Sequence, residues 1–292
     1  MGKKKHNKAP REPVDALLDA AVTENTALAK KNADKRPLTR MEVLSKLDQV
    51  YLLNLVATTE DGQKQIIPDA DGRLRWFSSV LDAKAALQAM QAKMPPVPGF
   101  SIRLDFTPLG RAYSLSDKWV DSKKLQGESP PMAIEASSRV LAACGQAAVD
   151  SLERSVPGVL RKRNPLQRPI PLFFLDELQS DRILPFFFSR EDLASCWAAS
   201  GKRVEDLPSQ LNVTDLRALV ARTLSEENDW LVRLRLVPSR EMCELLQMVD
   251  AMVDQLEDVS KVAAQATGEA LKEAAAAKAT AVAAGDLPPP LQ

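Results

Sequence analysis

One series of predicted elements occurs twice along this 292-residue chain, and a repeat of that length restricts the fold to two similar modules built in the same order. The first copy opens with Glu42-Val43-Leu44-Ser45-Lys46-Leu47, whose apolar positions share one face of a short helix. Val50 to Val56 is an apolar run and reads as a buried strand. A polar stretch holding Glu60-Asp61-Gly62 and Asp69-Ala70-Asp71-Gly72 follows, and Arg73 to Phe77 returns as a second strand, closing a long-looped hairpin. Ser79 with Asp82 three residues on starts a helix through Lys93, which Pro95-Pro96 ends. Ser101 to Thr107 alternates at period two, a half-buried strand, and Thr107-Pro108-Leu109 begins another helical turn.

The second copy keeps that order. Pro169 to Leu175 reads as a strand with its prolines confined to the start, where a missing N–H is tolerated. A short turn over Asp176 to Asp181 leads to a second strand, Ile183 to Phe188. Ser189-Arg190-Glu191-Asp192 repeats the Ser-x-x-Asp cap before a helix whose buried face carries Leu193, Cys196 and Trp197. Leu211 to Leu216 repeats the strand-to-helix step, and Leu231 to Val237 alternates as a further strand. It runs into a helix from Ser239 with Met242, Leu245, Leu246, Val249, Met252, Val253 and Leu256 on one face. In the first copy the counterpart is weaker, Met132-Ala133-Ile134 running into a helix through Leu152. Gln49 aligns with Gln167, Ser79 with Ser189 and Thr107 with Thr214. The first change of spacing, about eight residues, falls in the hairpin loop, where length costs little.

Composition narrows the function classes. Thirty-nine basic residues balance thirty-nine acidic ones, so the chain as a whole is not a nucleic-acid-binding surface. No apolar run approaches the roughly 18–20 residues that span a bilayer. Three distant cysteines, Cys144, Cys196 and Cys243, make neither a disulfide framework nor a zinc cluster, and each suits core packing. The one histidine, His6, lies in the N-terminal tail, which argues against a histidine base, triad or metal site. Phosphate-cradling glycine loops are missing. Acidic pairs such as Glu226-Glu227 and Asp176-Glu177 read as solvated turns. The expectation is a non-enzyme with no catalytic residue, no metal, no cofactor and no small-molecule substrate.

The tails differ from the middle. Residues 1–40 carry ten basic side chains against five acidic ones and contain no serine, so neither a secretory signal nor a plastid transit peptide is evident. A solvated basic tail is the plain reading, and weak contact with anionic lipid or RNA the sharper one. Twelve of the 23 residues from Val262 to Ala284 are alanine, before a Pro288-Pro289-Pro290 tip: a frayed helix with little to anchor it. The chain therefore divides into a basic tail (1–37), a first α+β repeat (38–158), a basic joining segment (159–168), a second α+β repeat (169–259) and an alanine-rich tail (260–292).

This series resembles the family of the twenty-two-kilodalton soluble subunit of the translocon at the inner envelope of chloroplasts (Tic). The matching stretches are Glu42 to Val56, Trp76 to Ala83, Pro169 to Leu175, Phe186 to Leu193 and Leu234 to Glu241, spread over roughly Leu38 to Val259. Each is a weak motif; their order, twice over, carries the likeness. The resemblance implies an α+β protein of two pseudo-symmetric halves, each with a β-hairpin and further strands packed on helices. It also implies a non-enzymatic, chaperone-like factor of preprotein translocation, soluble or peripherally membrane-associated, in the plastid intermembrane space or its equivalent. Unfolded preproteins and translocon components would be its partners. On that reading Phe173, Phe174, Phe186, Phe187, Phe188, Trp197 and Met242 would form an apolar preprotein-binding surface; as plain packing they are core. The alternative is a structural or peripheral subunit of a large assembly, anchored by the basic tail.

Overall fold

The computed structural model describes residues 36–94, 99–119, 130–228 and 230–252. The basic tail up to residue 35, the Pro95-Pro96 stop and the alanine-rich tail lie outside the described residues. Two units divide the chain, 1–243 and 244–292. Of the second, 244–252 is described and is helical, with Met248 and Met252 exposed.

In the first unit each repeat makes one sheet. The first repeat supplies α1 (Arg40–Leu47), β1 (Tyr51–Thr58), β2 (Lys64–Ile66), β3 (Leu74–Phe77), α2 (Val80–Lys93), β4 (Ser101–Pro108), α3 (Leu109–Ser116) and β5 (Met132–Glu135). Next come α4 (Ser138–Cys144), α5 (Gln146–Ser155) and α6 (Gly158–Arg163). The second repeat supplies β6 (Pro171–Phe174), β7 (Leu184–Phe187), α7 (Arg190–Ala199), β8 (Asn212–Asp215), α8 (Leu216–Ser225), α9 (Trp230–Arg233) and β9 (Leu234–Val237), after which a helix opens at 240. The fold is α+β, as expected.

The two sheets are wired alike. β1 pairs antiparallel with both β4 and β3, and β3 pairs parallel with β5. Likewise β6 pairs antiparallel with β8 and β7, and β7 pairs parallel with β9. Register makes the match residue by residue: Leu53 faces Phe77 as Phe173 faces Phe187, and Trp76 faces Ile134 as Phe186 faces Leu236. The addition in the first half is β2, a short strand in the long hairpin loop pairing with the end of β1. Pattern alone reads that loop as a turn because three residues are too few to show alternation.

Three sequence expectations shift in detail. Gly145, at φ 76°, occupies the left-handed region that favours glycine and splits the expected helix through Leu152 into α4 and α5. The strand expected from Leu231 is only four residues long, because Leu231 to Arg233 belong to α9. The basic segment 159–168 begins as a helix, α6, and stands where α1 stands in the first half. The halves share one core. Leu52, Trp76, Leu109 and Ile134 of the first share one buried cluster with their counterparts Leu172, Phe186, Leu216 and Leu236 of the second.

Polar bonds cross between the halves in matched pairs. Asn164 Nδ2 donates to Met132 O at 2.9 Å, and Lys46 Nζ donates to Leu234 O at 3.3 Å and Val232 O at 3.0 Å. Gln167 of the second half receives Ile134 N–H on Oε1 at 2.7 Å and donates back to Ile134 O, filling the open edge of β5 with a side-chain amide in place of a strand. Gln49 of the first half accepts from Arg235 of β9 at 3.0 Å. The two glutamines thus both bond across the halves, Gln167 to the main chain of β5 and Gln49 to the Arg235 side chain. The strands themselves are offset by two more residues, since Leu109 N–H bonds Val50 O where Leu216 N–H bonds Ile170 O.

Candidate functional site

The aromatic residues expected to bind extended chains lie in the core. Phe173 and Phe187 pack with Leu193 and Trp197 beneath α7, and Phe186 and Phe188 join the inner cluster. Phe174 is half-buried, its ring centroid 4.8 Å from that of Phe186. Trp197 is buried with its indole N–H donating to Arg203 O at 2.8 Å, and Met242 is 1% exposed. Alternation sends these side chains to both faces of one sheet, and both faces are covered, one by α7 and one by the other half. The five phenylalanines and Trp197 fall within these two clusters and Met242 is buried, so their surface is already used in packing.

What reaches the surface is an edge. β4 is eight residues long and, among the described residues, pairs with β1 alone. Its ladder continues through Leu109 N–H to Val50 O at 2.7 Å. Opposed residues of an antiparallel pair alternate between bonded and non-bonded positions, so Thr107, Asp105, Arg103 and Ser101 spend their backbone groups on β1. Ile102, Leu104 and Phe106 therefore point theirs outward. The side chains of these three are half-buried on the face that packs α2, beside exposed Tyr51, whose ring meets Phe106 edge-on at 6.5 Å. Asp105 accepts Phe106 N–H at 3.0 Å and pairs with Lys64 at 3.2 Å, while Arg103 is exposed. An extended chain laid along this edge would find outward N–H and C=O groups and an apolar row, needs that nearly any sequence can meet.

The equivalent edge of the second sheet is shorter and partly covered: β8 has four residues, with Asn212 and Val213 exposed and Asp215 buried. β8 packs against α5, whose Val149 and Leu152 are buried. The asymmetry lies in tertiary placement. Sequence shows β4 as a half-buried strand but carries no sign that it is an edge, because strand order is not a local property.

A second concave feature lies where four helices begin. A cleft of about 230 Å³ is lined by the cap serines Ser79, Ser137, Ser189 and Ser239, with Arg139, Arg240 and Glu191 at its rim. Helix N-termini favour negative charge, and the protein supplies it. Asp82 accepts from Ser138 N at 2.8 Å and Asp192 from Arg240 N at 3.2 Å, so each carboxylate sits at two helix starts. The cleft's carboxylates are those of Glu191, Asp192 and Glu241, and the Ser189 hydroxyl donates to Asp192 at 2.6 Å, the same carboxylate that faces the two helix starts.

The remaining reactive groups are modest. Burial pushes the Cys144 thiol up, away from the thiolate that reactivity needs, and no disulfide joins the three cysteines. Among the described residues no group of three or more His, Cys, Asp or Glu could hold a metal ion, and no helix is long and apolar enough to cross a membrane.

No protein-family model and no curated protein matches the chain. Among solved structures it is similar to Tic22 from Plasmodium falciparum, at 16% identity over 74% of this chain and 98% of that one, with a TM-score of 0.46. It is likewise similar to Anabaena Tic22 (protein transport), at 17% identity over 72% and 97%, TM-score 0.46.

Proposed function

We propose that this chain is a non-enzymatic, chaperone-like factor of protein transport that takes up extended polypeptide by strand addition at β4. The observation behind the reading is the outward row Ile102, Leu104 and Phe106 on a strand whose other side is fully paired. Main-chain bonding gives affinity without demanding a sequence, which suits a factor serving many clients in transit. The duplicated series that resembles the Tic family supplies the setting: preprotein translocation into plastids, with unfolded preproteins and translocon components as partners in the intermembrane space or its equivalent.

The test is fluorescence anisotropy with a labelled unfolded preprotein. Leu104→Pro removes an outward N–H while leaving the β1 ladder its own donors, and Leu104→Lys puts a charge in the apolar row. Both substitutions should abolish binding, and Val213→Lys, at an exposed position of β8 away from the β4 edge, should leave it unchanged. Unaltered binding in Leu104→Lys, with the fold intact by circular dichroism, would overturn the reading.

A further inference from the structure

The edge that would receive a client also matches itself. Ser101-Ile102-Arg103-Leu104-Asp105-Phe106-Thr107 places an apolar residue at its centre, opposite charges on either side, and apolar residues beyond. When two copies run antiparallel with Leu104 opposite Leu104, Arg103 of each copy faces Asp105 of the other, twice, and Ile102 faces Phe106. The register also suits the backbone. Ile102, Leu104 and Phe106 are the residues whose N–H and C=O point outward, so the paired positions become the bonded ones and exchange six hydrogen bonds. The Arg103–Asp105 pairs then take the non-bonded positions, where side chains approach most closely. In a single copy Asp105 holds Lys64 and the Phe106 N–H, contacts at the surface that are readily exchanged.

We infer that two copies of this protein associate through β4, about a two-fold axis at Leu104, joining their five-stranded sheets into one. The contact is isologous and uses up the open edge of each copy, so it closes at two. A strand-wide contact is small beside the roughly 800 Å² per partner of a stable interface, so the dimer is weak and depends on concentration. This inference rests on the strand-addition reading: the dimer covers the edge that a client needs, and dilution frees it.

Sedimentation of the full chain across a concentration series tests it. Arg103→Asp sets Asp against Asp at both symmetric positions and Asp105→Arg sets Arg against Arg; each should weaken dimerisation about tenfold or more. The double exchange Arg103→Asp/Asp105→Arg restores opposite charges and should restore the dimer. Hydrogen exchange supplies a measurement free of variants, because the Ile102, Leu104 and Phe106 amides should gain protection as concentration rises. A chain monomeric at every concentration, or a dimer indifferent to both single exchanges, overturns the proposal. Client binding measured where the protein is monomeric is a separate result, so loss of the dimer and loss of the client site are told apart.

Discussion

The strand-to-helix step is built twice in this molecule, with opposite chemistry. In the first half Thr107-Pro108-Leu109-Gly110 turns β4 into α3, and Pro108 caps the helix without a side-chain bond. Gly110 is there because α1 lies against it: a methyl at that position would stand 2.7 Å from Leu44 O. In the second half the same four positions are Thr214-Asp215-Leu216-Arg217. Asp215 is fully buried; it accepts Arg217 N–H at 2.7 Å and Ile170 N–H at 2.9 Å. The Arg217 side chain, 4% exposed, fills the space with bonds to Asp215 at 3.2 Å, Gln167 O at 3.0 Å and Glu153 at 2.9 Å. Burial pushes the Asp215 carboxyl up, and the Arg217 charge offsets only part of that rise. One duplicated backbone thus tolerates either close contact of main chains or a buried ion pair, provided that every polar group finds a partner.

Substitutions can break that comparison at each end. The largest effect should come from Arg217→Ala, which strands the Asp215 carboxylate and Gln167 O and should cost about 3–5 kcal/mol in denaturant unfolding. Adding Asp215→Asn should recover part of it. Gly110→Ala should cost about 1–3 kcal/mol, since the main chain of α1 has to move; a cost equal to that of Arg217→Ala would show the two solutions to be energetically alike. The crossing donors sharpen the contrast. Burial, and then the Arg235 charge, lower the Lys46 ammonium from 10.5 to about 8, whereas its counterpart Asn164 has no proton to lose. The unfolded chain holds that proton more firmly, so stability should rise as pH climbs from about 8 towards 10.5, and Lys46→Met should flatten the rise. The smallest effect concerns caps. Thr39 and Glu42 form a capping box on α1, while α6 starts at Pro157 with no side-chain bond, so Thr39→Ala should cost about 1 kcal/mol. Arg36 holds the Glu42 carboxyl down at about 2, a small stabilisation that should fade as pH falls from 4.5 towards that value.

Much of the fold was legible in local signals. The Ser-x-x-Asp caps at Ser79 and Ser189 mark the starts of α2 and α7, and the apolar run from Val50 foretells a buried strand. Signals fail where a feature is defined by its neighbours. β2 is too short for periodicity, and α9 interrupts an alternation that Leu231 to Val237 carries only in part. The phenylalanines of β6 and β7 read first as core and second as groove, and α7 on one face and the partner half on the other make them core. Arg217 reaches Asp215 two residues away, but its third partner Glu153 lies 64 residues off and leaves no local signal.

The Gln167 amide sets an order on the molecule's completion. Ile134 is made 33 residues before the side chain that closes its strand. A chain growing from its N-terminus, or threading through a pore that way, keeps β5 raw-edged until the second half arrives. A fragment cut short before residue 167 would present that bare margin to any strand nearby, and aggregation should follow truncation there more readily than truncation beyond it.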